Sequence, residues 1–273
     1  MRAILQRIDD ALGGRYAAAE LETIKKALCL EYLGISAVSF YTKEKLSADT
    51  EKLDRALERL AKGEPLQYVI GSTPFYGLTF KVDGRVLIPR PETAELVDWV
   101  AGDAALSGSL LDVGTGSGCI AISLAHRLPG WKVQGWDISE GALEVARENN
   151  SLNGTEVEFR KVDILKAEQD CRFDVIVSNP PYVMESEKAQ MEDTVLDYEP
   201  HLALFVSDND PLLFYRAIAE FGKKALVTGG KLFFEINPLE ASALKEMLEE
   251  AGYHNIELRK DIFGKQRMIK ALL

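Results

Sequence analysis

Through the first seventy residues the apolar positions recur at intervals of three and four, the spacing of one helix face. Ile4, Leu5, Ile8 and Leu12 form the first set, which Gly13-Gly14 ends. Leu21, Ile24, Ala27 and Leu28 predict a helix over Ala17 to Leu33, and another lies around Ser36 to Lys43. Leu53, Leu57 and Leu60 share one face of a helix from Thr50 to Lys62, with Gly63 as its expected C-cap. A small helical bundle is expected here. From Gly63 to Pro91 the texture changes to short β-type runs, Val69-Ile70, Leu78 to Val82 and Val86 to Ile88, broken by prolines and glycines. The pair Asp83-Gly84 is placed to join the last two runs as a hairpin. Pro91 then opens a helix, with Glu92 in its first turn and Leu96, Val97 and Val100 as its apolar face.

After Gly108 strand-like and helix-like runs alternate. Strands are predicted near 109 to 114, 132 to 137, 155 to 160, 173 to 178, 231 to 236, 253 to 259 and 267 to 272. Helices are predicted near 117 to 128, 140 to 152, 211 to 224 and 239 to 251. Such alternation calls for an α/β fold with a doubly wound, mainly parallel sheet. The last two strands have only Lys260 to Gln266 between them, too short for a crossover helix, so they should pair antiparallel at one edge.

Three strand ends carry candidate chemistry. Leu110 to Gly118 is a strand running into a glycine-rich turn, Gly114-Thr115-Gly116-Ser117-Gly118, at a helix start. Its glycines allow a ligand close to the backbone, and the free amides beyond attract a carboxylate. Asp112, which opens the turn, suits an ammonium group better than a pyrophosphate. The next strand ends in Asp137, where a carboxylate can accept both ribose hydroxyls. After the third strand Asp163 can accept from an adenine amino group while Ile164 packs on the ring. Each acid alone reads equally as a solvated loop residue, and the glycines as a tight turn without a ligand. Together they outline an amino acid, a ribose and an adenine, the parts of S-adenosylmethionine.

The fourth strand, Phe173 to Ser178, is short, β-branched and nearly uncharged, as suits a buried parallel strand. Pro180-Pro181 stops it, so Asn179-Pro180-Pro181-Tyr182 stands at a carboxyl end, where open α/β sheets bind ligands. A planar nitrogen is a poor nucleophile because its lone pair is delocalised. If the Asn179 side-chain oxygen and the Pro180 carbonyl each accept one of its N–H groups, the lone pair is aimed at a methyl donor, and Tyr182 can stack on the flat target. Taken alone, the tetrapeptide is also compatible with a turn capped by Asn.

Composition narrows the partners. The chain has 273 residues, 47% hydrophobic and 27% charged, which suits one large domain and one small one. Net charge is −11, a poor counterion for nucleic acid. Residues 1 to 70 hold eleven Lys or Arg and eleven Asp or Glu, so that part is neutral and has no basic stripe. Cys29, Cys119 and Cys171 lack metal or redox spacing and are expected as reduced thiols. His126, His201 and His254 fall on separate elements, so no metal set is expected. The acids in MRAILQRIDDALGG stand where a signal peptide would need an apolar stretch, so none is expected, and no apolar run approaches about 18 residues. A cytoplasmic protein with no membrane partner is expected.

Asp112 to Gly118 together with Asn179-Pro180-Pro181-Tyr182 resembles the class I S-adenosylmethionine-dependent methyltransferases acting on nitrogen. Gly63 to Tyr68, Ile88 to Thr93, Ser178, Glu199-Pro200 with Ala203-Leu204, and Asp261, Gly264 and Arg267 narrow the resemblance to the release factor glutamine methyltransferases (HemK/PrmC family). The resemblance implies a seven-stranded Rossmann-like sheet with an N-terminal helical bundle and a β-hairpin linker. The implied division is a substrate-recognition domain over 1–70, a linker over 71–90 and a methyltransferase domain over 91–273. It also implies methylation of the Gly-Gly-Gln glutamine of peptide chain release factors, with S-adenosylhomocysteine as product and no direct nucleic acid partner, by a monomer. Gly114 to Gly118, Asp137 and Asn179 would bind the cofactor, Ile164 would hold the adenine position, and Asn179 to Tyr182 would grip the glutamine. Phe75 and Arg90 to Thr93 would close over the site. The chain departs from the family at Ser207 to Asp210 and Glu235 to Pro238, both expected away from the chemistry. An adenine or cytosine N-methyltransferase is the alternative, because the tetrapeptide suits any planar NH2.

Overall fold

The computed structural model describes residues 1–42, 50–168 and 171–273, so the expected helix end at Lys43 lies outside the described residues. Packing divides the chain into two units, Met1–Ser72 with Glu192–Tyr198, and Thr73–Met191 with Glu199–Leu273.

In the first unit, helices Arg2–Leu12, Ala18–Leu33, Ala37–Thr42 and Glu51–Ala61 stand where the apolar spacing predicts them. Ile8, Leu12, Leu21, Ile24, Leu28, Leu53, Leu57 and Leu60 share one buried core, so the periodicity is satisfied by helix against helix. The run Val69-Ile70 is not a strand. It ends a short helix, Leu66–Ile70, which Pro65 starts by accepting from Tyr68 and Val69 N–H and which left-handed Gly71 closes. Val69 is 3% exposed within the helical core, and its carbonyl accepts from Tyr32 Oη and Arg59 Nη1, which leaves it nothing to offer a strand partner.

The hairpin also sits earlier than expected. Ser72–Phe75 pairs with Leu78–Lys81 across Tyr76 and Gly77, whose φ values of 50° and 77° are those of a type I′ turn. Asp83-Gly84 makes a local turn instead. The Asp83 carboxylate accepts from Arg85 N and from its guanidinium, and Val86 and Ile88 are buried on a segment outside any sheet.

The second unit holds a seven-stranded sheet of β1 (Gly108–Val113), β2 (Trp131–Asp137), β3 (Glu158–Lys161), β4 (Phe173–Ser178), β5 (Leu226–Glu235), β6 (His254–Lys260) and β7 (Gln266–Leu272). Their order is β6-β7-β5-β4-β1-β2-β3, with β7 antiparallel to both neighbours and the rest of the ladder parallel. Alternation along β1 sends Leu111 and Val113 to one face and Leu110 to the other. Tyr215, Ile218, Leu244 and Leu248 cover the first face, and Leu96, Val100, Ile120 and Leu124 the second. Strand order reverses between β1 and β4. A crevice must open outside their carboxyl ends, because the connections leave there in opposite directions.

Candidate active site

That crevice is a cavity of about 250 Å³. Its walls include Val113, Gly114 and Gly116 beyond β1, Asp137 and Ile138 beyond β2, Asp163 and Ile164 beyond β3, and Asn179, Pro180 and Pro181 beyond β4. Gly114 and Gly116 have φ of 72° and 54°, and a side chain on either would meet nothing within 4 Å, so their bare backbone faces open space. Gly118 differs. A Cβ there would lie 2.8 Å from Ile122 Cδ1 and 3.3 Å from Ala146 and Phe159, so this glycine serves helix packing.

Asp112 is fully buried beneath the loop. Its Oδ2 accepts from Thr115 Oγ1 at 2.6 Å and Ala121 N at 3.2 Å, and burial pushes its carboxyl up to about 7. It braces the turn and does not line the cavity. Asp137 does line it. One oxygen accepts from Gly116 N and the other from Ser139 N, both at 2.9 Å, while burial raises its pKa above the usual carboxylate range. Each oxygen keeps a further lone pair for a ligand hydroxyl. Asp163 accepts from Leu165 N and so starts the turn that sets Ile164 in the wall.

A second, smaller cavity of about 50 Å³ adjoins the first. Leu87, Arg90, Tyr182, Val183 and Leu204 line it, and Asn179, Pro180, Leu87 and Ala203 line both. Asn179 and Pro180 therefore form a shared wall. Ser178 Oγ donates to Val113 O at 2.6 Å and ties the end of β4 to that of β1. Asn179 Nδ2 donates to Thr93 Oγ1 at 3.3 Å, Thr93 Oγ1 donates to Glu235 Oε2 at 2.7 Å, and Tyr182 Oη donates to Glu235 Oε1 at 3.0 Å. Burial raises both the Tyr182 and the Glu235 pKa, so the phenol keeps its proton. Arg90 Nη2 reaches Glu199 Oε1 at 2.6 Å, and Glu199 Oε2 takes Ile88 N, which fixes the segment leading to Thr93.

Among the expected site residues, Gly114, Gly116, Asp137, Asp163, Ile164, Asn179, Pro180 and Pro181 converge on the large cavity and Tyr182 on the small one. Thr115, Ser117 and Gly118 lie behind the wall. Phe75 packs edge-on to Phe80 at 5.9 Å and lines neither cavity, whereas Arg90 lines the small one. The expectation that Glu235 to Pro238 lies away from the chemistry is overturned. Glu235 bonds the Tyr182 hydroxyl, and Asn237 Nδ2 donates to Tyr182 O at 3.2 Å. Ser207 to Asp210 does lie outside both cavities, with Asp208 accepting from Ser186. Sequence reasoning missed Glu235 as a partner of Thr93 and Tyr182. The available signal was an acid closing the wholly apolar run Leu232-Phe233-Phe234, as Asp137 closes β2.

The residues fit S-adenosylmethionine: bare glycine backbone on open space, a carboxylate with spare lone pairs, and an apolar wall at Ile164 and Leu165. Comparison with known proteins agrees. The Methyltransferase small domain family matches residues 93–198, and the PrmC N-terminal domain family matches residues 3–71. A T. thermophilus 16S rRNA methyltransferase in complex with AdoMet and guanosine shares the fold, with TM-score 0.53 at 18% identity over 74% of this chain and 49% of that one. The release factor glutamine methyltransferase of Bacteroides thetaiotaomicron is 46% identical over 99% of both chains. That of Flavobacterium psychrophilum is 43% identical over 95% of this chain and 94% of its own. With identity of this order running through both units, the chain belongs to the release factor glutamine methyltransferase family.

Proposed function

We propose that the protein transfers a methyl group from S-adenosylmethionine to the side-chain amide nitrogen of the glutamine in the Gly-Gly-Gln motif of peptide chain release factors. The observation that carries this reading is the shared wall. Asn179 and Pro180 line a cavity fit for the cofactor and also the small cavity beside it, so a group seated in one meets a group seated in the other at these residues. Gly114, Gly116, Asp137, Asp163 and Ile164 hold the cofactor. Once bound, it supplies an electrophilic methyl on a sulfonium.

The protein's own work is orientation. Asn179 spends Nδ2 on Thr93, which leaves Oδ1 to accept one N–H of the target amide, while the Pro180 carbonyl accepts the other. Both acceptors favour a more tetrahedral nitrogen with its lone pair forward, and the Tyr182 ring backs the amide plane. The nitrogen gains the methyl as the sulfur–carbon bond breaks, and its extra proton leaves to water. We further assign residues 1–70 to release factor recognition, 71–90 to a linker and 91–273 to the methyltransferase domain, in a cytoplasmic monomer with no nucleic acid partner. The neutral charge of residues 1 to 70 supports a protein partner.

The test is incubation with labelled cofactor and purified release factor, wild type or with the motif glutamine replaced. Label is expected on the wild-type factor alone. Label surviving the replacement, or appearing on tRNA or DNA, overturns the reading.

A further inference from the structure

Glu235 closes β5 at 1% exposure, and each of its carboxylate oxygens takes one hydroxyl, Thr93 on Oε2 and Tyr182 on Oε1. A hydroxyl has a single proton to give. With that proton on Glu235, Thr93 can meet Asn179 only as an acceptor, so Asn179 must turn Nδ2 toward it, as it does. The sense of one buried carboxylate thus decides which end of the Asn179 amide faces the target.

We propose that Glu235 is a positioning residue for methyl transfer: acting through Thr93, its carboxylate sets the donor and acceptor ends of Asn179, and through the Tyr182 hydroxyl it fixes the ring beside the target amide. This rests on the methyl-transfer reading above and adds to it a residue that touches neither substrate nor cofactor. The groups that face Glu235 are Glu92 and Thr93 from the helix Pro91–Asp103, Cys119 from the helix Cys119–Arg127, Tyr182 after β4 and Arg267 from β7, while Tyr215 donates to its main-chain oxygen. Burial dominates and raises its pKa, with Glu92 adding to the rise against Thr93, Tyr182 and Arg267. A protonated Glu235 must donate through one oxygen. One of the two hydroxyls then turns round, so activity drops as pH falls through the raised pKa.

Glu235→Gln keeps the shape but puts a donor where the carboxylate accepted. We expect kcat at saturating substrates to fall about 100-fold, the scale of a misplaced catalytic group, while KM for the release factor and the dissociation constant of S-adenosylmethionine move less than about threefold. The acid limb of the wild-type kcat profile disappears in Glu235→Gln. Thr93→Val gives a loss of similar size, and Thr93→Ser, which restores the hydroxyl, recovers most of it. Because the glutamine keeps one oxygen to accept the Tyr182 hydroxyl, what it loses is the link to Thr93, and Glu235→Gln costs little more in the Thr93→Val background. A readout free of turnover is NMR of protein carrying isotope-labelled asparagine, in which the Asn179 side-chain amide signals shift in Glu235→Gln. Wild-type kcat in Glu235→Gln, additive losses in the double variant, or unmoved Asn179 signals each overturn the positioning role. A wild-type enzyme that leaves release factor unmethylated overturns the proposed function instead, and the NMR comparison still decides on Glu235.

Discussion

The two halves of the site are built on opposite plans. On the cofactor side the contacts are short in sequence: Thr115 to Asp112 spans 3 residues, Ala121 to Asp112 spans 9, and Gly116 to Asp137 spans 21. The first strand end presents bare backbone to the cavity there, at the left-handed glycines Gly114 and Gly116. On the target side the contacts are side chain to side chain and long: 86 residues from Asn179 to Thr93, 142 from Thr93 to Glu235, 53 from Tyr182 to Glu235. A half held by local contacts at several strand ends spreads its function, whereas a half made of side chains linked across the fold concentrates its function in a few atoms.

The largest expected effect falls on that concentrated half. Asn179→Ala removes the acceptor aimed at the target nitrogen, and kcat for methyl transfer should fall about 100- to 1000-fold, the cost of losing one preorganised polar partner at the reacting group. Cofactor affinity, measured by calorimetry, should weaken far less. Equal losses in the two measurements would mean that Asn179 serves chiefly the cofactor and that the two halves are not separate.

The same contrast explains what the sequence made legible. The turn from Gly114 to Gly118, Asp137 and the Pro-Pro stop after β4 are local devices whose residue types state their backbone geometry, and the alternation of strand and helix fixed the parallel sheet around them. Thr93 belongs to no local pattern, and Glu235 only to the strand-end pattern that it shares with Asp137. Each reads as an ordinary first-turn or strand-end residue, and only the packing of the helix Pro91–Asp103 against β5 brings Thr93 to the Glu235 carboxylate. The Val69-Ile70 and Val86 to Ile88 runs failed for a related reason. β-branched residues suit a strand, but tertiary packing buried Val69 on a helix and buried Val86 and Ile88 on a segment outside any sheet.

Within the cofactor half, two glycines that look alike in sequence should behave differently. Gly118→Ala adds left-handed strain to a crowded Cβ, and buried Ile122 with Ala146 and Phe159 at 3.3 Å leaves little room. Its stability, measured by denaturant unfolding, should fall by about 2–4 kcal/mol. Gly116→Ala carries the strain alone, about 1–2 kcal/mol, and projects its methyl into the cavity, so its main effect should be weaker cofactor binding. The reverse ranking of the two in stability would show that Gly118 does not face the helix packing.

Asp137→Ala sharpens the comparison from the other side and should have a smaller effect than Asn179→Ala or Gly118→Ala. It deletes a carboxylate that accepts from Gly116 N and Ser139 N, and each hydrogen bond to a charged group is worth roughly 1.5–3 kcal/mol. The loss is shared between holding the loop and holding the ligand, so the cofactor dissociation constant should rise about 10- to 100-fold. At saturating cofactor, kcat should fall much less, because Asn179, Thr93, Tyr182 and Glu235 keep every bond they make to one another. A kcat that drops as far as the affinity would tie the orientation of the target amide to the glycine loop, and the separation drawn from contact distances along the chain would not hold in the reaction.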